Sequence, residues 1–375
     1  DEELAQFLRE HPEGMELTRQ GTTILPRTMF ELVDDLGQVN PLEARAIVRQ
    51  MDESGMLIEP SGDRFIGNLL VGEQAELRPL KRAWVASTER LGLVEGEKEK
   101  SGFERVMIEH ANVAVDQLRE RFGLPPFRVP PEAVRIVDKI PREKPDVLGT
   151  FAQYAQQAEI LDDLHPMQRL EVTIHEMTHF KSYGAVMAQR DSEGRVREMT
   201  YRTGMNIYSR DGKKRYLTGL NEAVTEETAN RLLMEVPDDH PVLGALAREH
   251  RRIIKKIGEQ NAAHLASTQV QPHWFIPTND IDDEGKQRYI YSYTKERVHM
   301  QQLFDRLVEH NPERFEGKTN EEAREELFTM LQKAMFTGNI LPFGRLFNDT
   351  FGHGKFREYG HLQTVEEQQA FIAAL

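Results

Sequence analysis

The chain has no cysteine, so disulfides, thiolate metal sites and thiol nucleophiles are all excluded, and any bound metal must sit on nitrogen and oxygen donors. A chain without thiols fits a reducing compartment, and a cytoplasmic location is expected. No run approaches the roughly 18 apolar residues that a membrane helix needs, so no membrane span is expected. Positive charge is in short supply. The 48 Lys and Arg residues face 62 Asp and Glu, and the resulting formal charge of −14 repels phosphate backbones, which makes nucleic acid a poor partner. What remains, 39% hydrophobic and 29% charged residues, is the composition of a soluble globular protein, and 375 residues suggest two or three domains. The first residue is Asp1, as in a trimmed or processed chain.

Residues 1–20 read as a short helix ending at Gly14. Ile47, Val48 and Met51 then recur at helical spacing between Pro41 and Gly55, and Met56–Glu59 with Arg64–Asn68 reads as a hairpin around Ser61-Gly62-Asp63. That order resembles a winged helix-turn-helix. Residues 21–76 nevertheless hold four basic side chains (Arg27, Arg45, Arg49, Arg64) against ten acidic ones, the wrong sign for reading DNA, so a protein partner is expected for this region.

Residues 78–123 read as largely helical, with Phe103, Val106, Met107, Ala111, Val115 and Leu118 as an apolar stripe that stops at Gly123. Strand signals follow over Ala133–Asp138 and Val147–Ile160. Tyr201–Tyr208 and Lys214–Leu217 form an expected hairpin through Asp211-Gly212. From residue 219 helices dominate, over 297–310, 319–337 and 364–374 among others, with a loop across 267–290. The expected fold class is α+β, mostly helical, with a small mixed sheet beside the active-site helix. In chain order the expected domains are a winged-helix-like 1–76, a helical linker 77–123, a catalytic core 124–236 and a helical lobe 237–375.

The chemistry concentrates between Leu170 and Phe180, where His175-Glu176-Met177-Thr178-His179 forms HExxH in a helical pattern. Residues four apart share a helical face about 5–6 Å apart at Cβ, so both imidazoles reach one ion and Glu176 projects beside the open coordination position. Zinc held this way brings its water to a pKa of about 7, and the carboxylate can take that proton and pass it to a leaving amine. The competing reading is an amphipathic helix with two incidental histidines. Leu170, Val172, Ile174 and Phe180 favour the site, because a catalytic helix inside a fold needs a buried side.

A third ligand is required, and Gly219–Asn230 supplies two carboxylates, Glu222 and Glu226, on one helical face. One can complete a His₂Glu site while the other accepts the remaining N–H of an imidazole. Asn221, Glu222 and Thr225 also resemble an ordinary capped first turn.

HExxH followed by Asn221-Glu222-Ala223-Val224-Thr225-Glu226 resembles the gluzincin clan of metallopeptidases, of which thermolysin is the familiar member, over roughly residues 147–236. The resemblance implies zinc as cofactor, Glu222 as third ligand and Glu226 as the carboxylate behind a ligand, with Glu176 as general base and acid. The interval between the motifs is longer than in thermolysin. Glu227-Thr-Ala-Asn-Arg-Leu-Leu-Met-Glu is also similar to the glutamate helix of peptidases that inactivate phage-type repressors, which would move the third ligand to Glu226 or Glu227. The metzincin pattern fails, since Ser182 and Ala185 stand where it needs glycine and histidine.

Such sites add a group that stabilises the oxyanion, and Tyr293 or Arg297, after Tyr289 and Tyr291, are the candidates, with Tyr293 preferred as catalytic. His240, His250 and His264 read as solvated. Gln156–Leu161 reads as an edge strand that pairs with an extended chain, so a protein or peptide substrate is expected. Two function classes follow: a zinc endopeptidase, or a regulatory or interaction protein with a structural or latent zinc site.

Overall fold

The computed structural model describes residues 18–19, 22–23, 57–60, 69–72, 78, 82, 92–140, 147–153, 155–190, 193–208 and 215–375. Strands β1 (Thr18–Arg19) and β2 (Thr22–Thr23) pair together, as do β3 (Leu57–Pro60) and β4 (Leu69–Gly72). Next come β5 (Glu97–Lys98), α1 (Gly102–Arg121), β6 (Val134–Val137), β7 (Gly149–Ala152), β8 (Gln157–Leu161) and α2 (Pro166–Lys181). They are followed by β9 (Gly184–Arg190), β10 (Val196–Thr203), β11 (Asn206–Tyr208), β12 (Arg215–Tyr216), α3 (Thr218–Met234) and α4 (Gly244–Thr268). A hairpin of β13 (Ile276–Ile281) and β14 (Gln287–Ile290) precedes α5 (Thr294–His310), α6 (Asn320–Thr337), α7 (Leu341–Phe351), α8 (Lys355–His361) and α9 (Val365–Ala373). The fold is therefore α+β and helix-rich, with small sheets. The winged-helix order expected over 1–76 lies mostly outside the described residues. Among those described, no helix is long and apolar enough to cross a membrane.

The chain divides into two compact units, each made of separate stretches of the sequence. The α2 unit holds residues 84–181 and 225–294, and the α5–α9 unit holds 1–83, 182–224 and 295–375. The division falls inside α3, between Val224 and Thr225, so one continuous helix belongs to both.

In the α2 unit, helix α1 starts where Ser101 caps it, accepting the Glu104 N–H while Glu104 reaches back to the Ser101 backbone. It buries Met107, Ile108, Ala111, Val115 and Leu118 and ends before Gly123, which takes φ +76. Of the helix expected from residue 78, Arg78 and Arg82 are helical, the rest of 79–91 lies outside the described residues, and 92–100 is not helical. Gly92 and Gly96 are poor helix formers, and Glu97–Lys98 pair with β6 instead. The sheet runs β5-β6-β8-β7, with β6 and β8 parallel and the other pairs antiparallel. Val147–Ile160 is consequently two strands, broken at a turn where Gln156 adopts φ +48. The expected edge strand is also corrected: β8 is paired on both sides, with Ala158 and Ile160 buried, and among the described residues β5 and β7 are the outer strands.

In the α5–α9 unit the sheet order is β12-β11-β10-β9-β4-β3, antiparallel except for the parallel pair β4–β9. In the N-terminal hairpin Leu57–Pro60 pairs with Leu69–Gly72, and the expected strand Arg64–Asn68 lies outside the described residues. Tyr201–Tyr208 is not one strand either, because Gly204 turns the chain at φ +58 between β10 and β11. A side chain there would meet the Asn221 Oδ1 at 2.5 Å, so both the backbone angle and the space require glycine. Leu303, Phe304, Leu327, Phe328, Phe343, Phe347 and Tyr359 form the helical core. The expected 267–290 loop contains the β13–β14 hairpin.

Each unit buries a histidine. His250, expected as solvated, is 1% exposed and donates to the Phe275 carbonyl at 3.1 Å, and burial pushes its pKa down to about 4. His299 is 2% exposed beside the Tyr359 hydroxyl and is pushed down to about 4 by the same cause. As pH falls below the ordinary value of 6.5, the unfolded chain takes up these protons first. Their contribution to stability is therefore complete above that pH and is lost on the way down to about 4, at about 1.4 kcal/mol per pH unit for each histidine. Urea midpoints of chelator-treated protein should fall steeply across this window, and His250→Gln should flatten the fall; a pH-independent midpoint would contradict the assignment.

Candidate metal centre

Helix α2 begins where the His165 Nδ1 accepts the Met167 N–H and Pro166 takes the first helical position. It ends where Arg119 donates to the Lys181 carbonyl at 2.5 Å and the Lys181 ammonium, wholly buried, meets Asp116 at 2.7 Å. Between these ends, every residue from Leu170 to Lys181 is buried. A helix enclosed on all sides ought to be apolar all round, yet this one carries Glu171, His175, Glu176 and His179 inside. Burying that many titratable groups is costly unless they are paired or bind an ion, so core packing does not account for the helix. Helix α3 repeats the pattern, with Asn221, Thr225, Glu226, Glu227 and Asn230 all buried.

The two helices bring together the residues expected as ligands. One donor atom each from His175, His179 and Glu222 lies within 4.8 Å of the others, and the two imidazoles meet edge to face with centroids 4.7 Å apart. An ion with bonds of about 2.0–2.1 Å needs its ligands roughly 3.4 Å apart, a distance reached by small side-chain rotations. The donor set, two imidazole nitrogens and a carboxylate with no sulfur, fits a divalent metal, and this group could hold one. The Glu222 reading as part of a capped first turn is set aside, because α3 starts four residues earlier at Thr218. Asn221 lies within the helix, and its side chain accepts the Met205 N–H at 2.8 Å.

Glu226, expected behind a ligand, lies beside His175. Its Oε2 lies 2.8 Å from the His175 Nδ1, and the Asn230 amide donates to its Oε1 at 3.4 Å. A carboxylate only accepts, so Nδ1 carries the proton in this pairing and Nε2 is left as the nitrogen that can ligate. Glu171 was missed by the sequence reading. It joins His175 and Glu226 in a second, fully buried group with donor atoms within 4.8 Å. Its signal was available, since Glu171, His175 and His179 follow one another at four-residue spacing on one face.

Glu227 belongs to neither group. Its Oε2 accepts the Trp274 indole N–H at 2.8 Å, and its Oε1 meets the Arg231 Nε at 2.8 Å and the His273 Nε2 at 3.1 Å. Of the tyrosines, Tyr293 reaches the centre: its ring lies parallel to the His175 imidazole, 5.7 Å away with 8° between planes, at a backbone φ of +50. Tyr291 packs instead on Phe275, and Arg297 is fully buried in α5. The His240 Nδ1 accepts the Leu243 N–H at 3.1 Å, and His264 is exposed.

Glu176 lies against β7. A β-carbon at Gly149 would sit 2.7 Å from the Glu176 Oε1 and 2.6 Å from the Val172 Cγ1. Gly149→Ala should therefore destabilise the α2 unit by about 1–3 kcal/mol through overpacking, read as a lower urea midpoint, and an unchanged midpoint would show that the strand gives way. Comparison of the chain with protein-family models, curated proteins and solved structures gives no match.

Proposed function

We propose that the chain is a zinc-dependent metallopeptidase of the gluzincin type. The observation that carries this reading is the enclosed α2–α3 pair, in which His175, His179 and Glu222 converge while Glu226 fixes the tautomer of His175. The same donor types serve iron in oxygenases, but Glu176, a carboxylate next in sequence to a ligand and beside an edge strand, favours hydrolysis. A zinc ion held by His175, His179 and Glu222 would supply Lewis acidity at this point.

The protein's own residues do the rest. Glu176, as carboxylate, takes a proton from the attacking water. As carboxylic acid it then returns that proton to the nitrogen whose bond to the carbonyl carbon breaks. Tyr293 donates its phenol O–H to the developing oxyanion. Strand β7 pairs with an extended peptide, whose backbone then passes Glu176.

Metal analysis of the purified chain followed by a peptide-library cleavage assay with and without chelator tests the reading. Stoichiometric zinc with chelator-sensitive cleavage is expected. Zinc without cleavage sinks the peptidase and leaves a structural centre in a regulatory protein, and iron in place of zinc sinks the hydrolytic chemistry.

A further inference from the structure

Neighbouring residues on an α-helix point about 100° apart, so Glu226 and Glu227 cannot both face His175. Glu226 bonds the imidazole directly, and Glu227 is turned toward the segment after α4. Glu227 is 5% exposed and Trp274 is fully buried, so a carboxylate and an indole N–H satisfy each other out of water, with Arg231 and His273 also meeting the carboxylate.

That bond fixes the root of the β13–β14 hairpin. Trp274 closes the short 3₁₀ turn Pro272–Trp274, the next carbonyl, of Phe275, accepts from His250, and the Phe275 ring packs on Tyr291 with centroids 5.0 Å apart. Ile276 pairs with Ile290, so both strands leave from the same anchored end. Three residues beyond Ile290, Tyr293 lies over the face of His175. Its φ of +50 is a conformation that a non-glycine residue keeps only where its surroundings over-determine it. The Thr294 hydroxyl on the Tyr291 carbonyl, at 3.0 Å, and the Tyr291–Phe275 packing are those surroundings.

We propose that Glu227 is a positioning residue for the centre: through Trp274 and the hairpin root it holds Tyr293 on the face of His175, while Glu226 holds the same ring by its edge. Two consecutive carboxylates of α3 thus fix one imidazole in two perpendicular directions. The proposal takes His175 as a ligand from the reading above, but its central test needs neither metal nor catalysis.

The full chain with ¹³C-labelled histidine is stripped of metal and held at pH 8, above the ordinary imidazole pKa of about 6.5. The His175 Hε1 resonance is identified by its loss in His175→Asn. Tyr293→Leu removes the ring current and moves this resonance. Glu227→Ala should move it in the same direction, Glu227→Gln, which keeps an acceptor for the Trp274 N–H, should restore it, and Glu227→Ala combined with Tyr293→Leu should move it no further than Tyr293→Leu alone. A folded Glu227→Ala variant with the His175 resonance unmoved, or one whose effect persists in full when Tyr293 is already Leu, overturns the proposal. Should Glu227→Ala fail to fold, Trp274→Phe, which removes the indole donor, takes its place with the same expected shift. A Co²⁺ titration then separates the two readings. Weaker binding by about 10-fold in Glu227→Ala supports positioning of a ligand, whereas a wild-type chain that binds no Co²⁺ removes the metal centre and leaves the resonance result to decide the clamp.

Discussion

Glu176→Gln is expected to keep its metal and its fold while losing peptide hydrolysis by about 10²–10⁴-fold, the usual contribution of a positioned general base. The substitution is nearly isosteric, which matters at this site: Glu176 is 6% exposed, and its carboxylate lies against the backbone of β7 where even a methyl group on Gly149 would collide. An amide fills the same space and can still hydrogen-bond, but it cannot take up the proton. Single-turnover cleavage of a fluorogenic peptide, alongside metal content and the urea midpoint, separates the chemistry from folding. Turnover retained at the wild-type rate would remove Glu176 from the mechanism.

Glu222→Ala is expected to weaken metal binding by more than Glu226→Ala does, because the first removes a ligand and the second removes the carboxylate that orients one. Loss of an orienting partner typically costs about 10–100-fold in affinity, and loss of one of three protein ligands exceeds that. The comparison is informative because the structure contains two overlapping groups that share His175, one completed by His179 and Glu222 and the other by Glu171 and Glu226. Competition against a chromogenic chelator measures both variants on one scale. The reverse order, with Glu226→Ala the more damaging, would place the ion on the Glu171 side of the imidazole.

The centre was legible where helical geometry alone determines proximity. His175 and His179 share a face by spacing, and Glu222 and Glu226 share another, so each half of the site could be read before any tertiary structure. Tyr293 could be named beside Arg297, but what places its ring on His175 is a positive φ and the packing of Tyr291 on Phe275, neither of which a local pattern encodes. Glu171 stayed hidden because a glutamate four residues before a histidine is unremarkable until the whole helix is known to be enclosed. Strand order failed for a related reason. Alternation marked both halves of Val147–Ile160 as extended, but which of them lies outermost depends on the parallel pairing of β8 with β6, a contact more than twenty residues away in sequence. The break at Gly204 likewise follows from the approach of Asn221, which belongs to another element.

The edge strand β7 has only four residues, Gly149 to Ala152, which is about 13 Å of backbone. Alternate residues of a strand turn their N–H and C=O groups toward opposite sides, so only about two of the four address the open edge. In the proposed peptidase this makes β7 a short ruler. It measures a few residues of whatever chain lies on it and leaves the remainder unread. Targets should then be distinguished less by length or overall sequence than by whether they can present a brief, already extended stretch, which favours linkers and tails over the interiors of folded domains. The same shortness limits the hazard that any open sheet edge carries, since four residues give a second copy of the chain little to pair with.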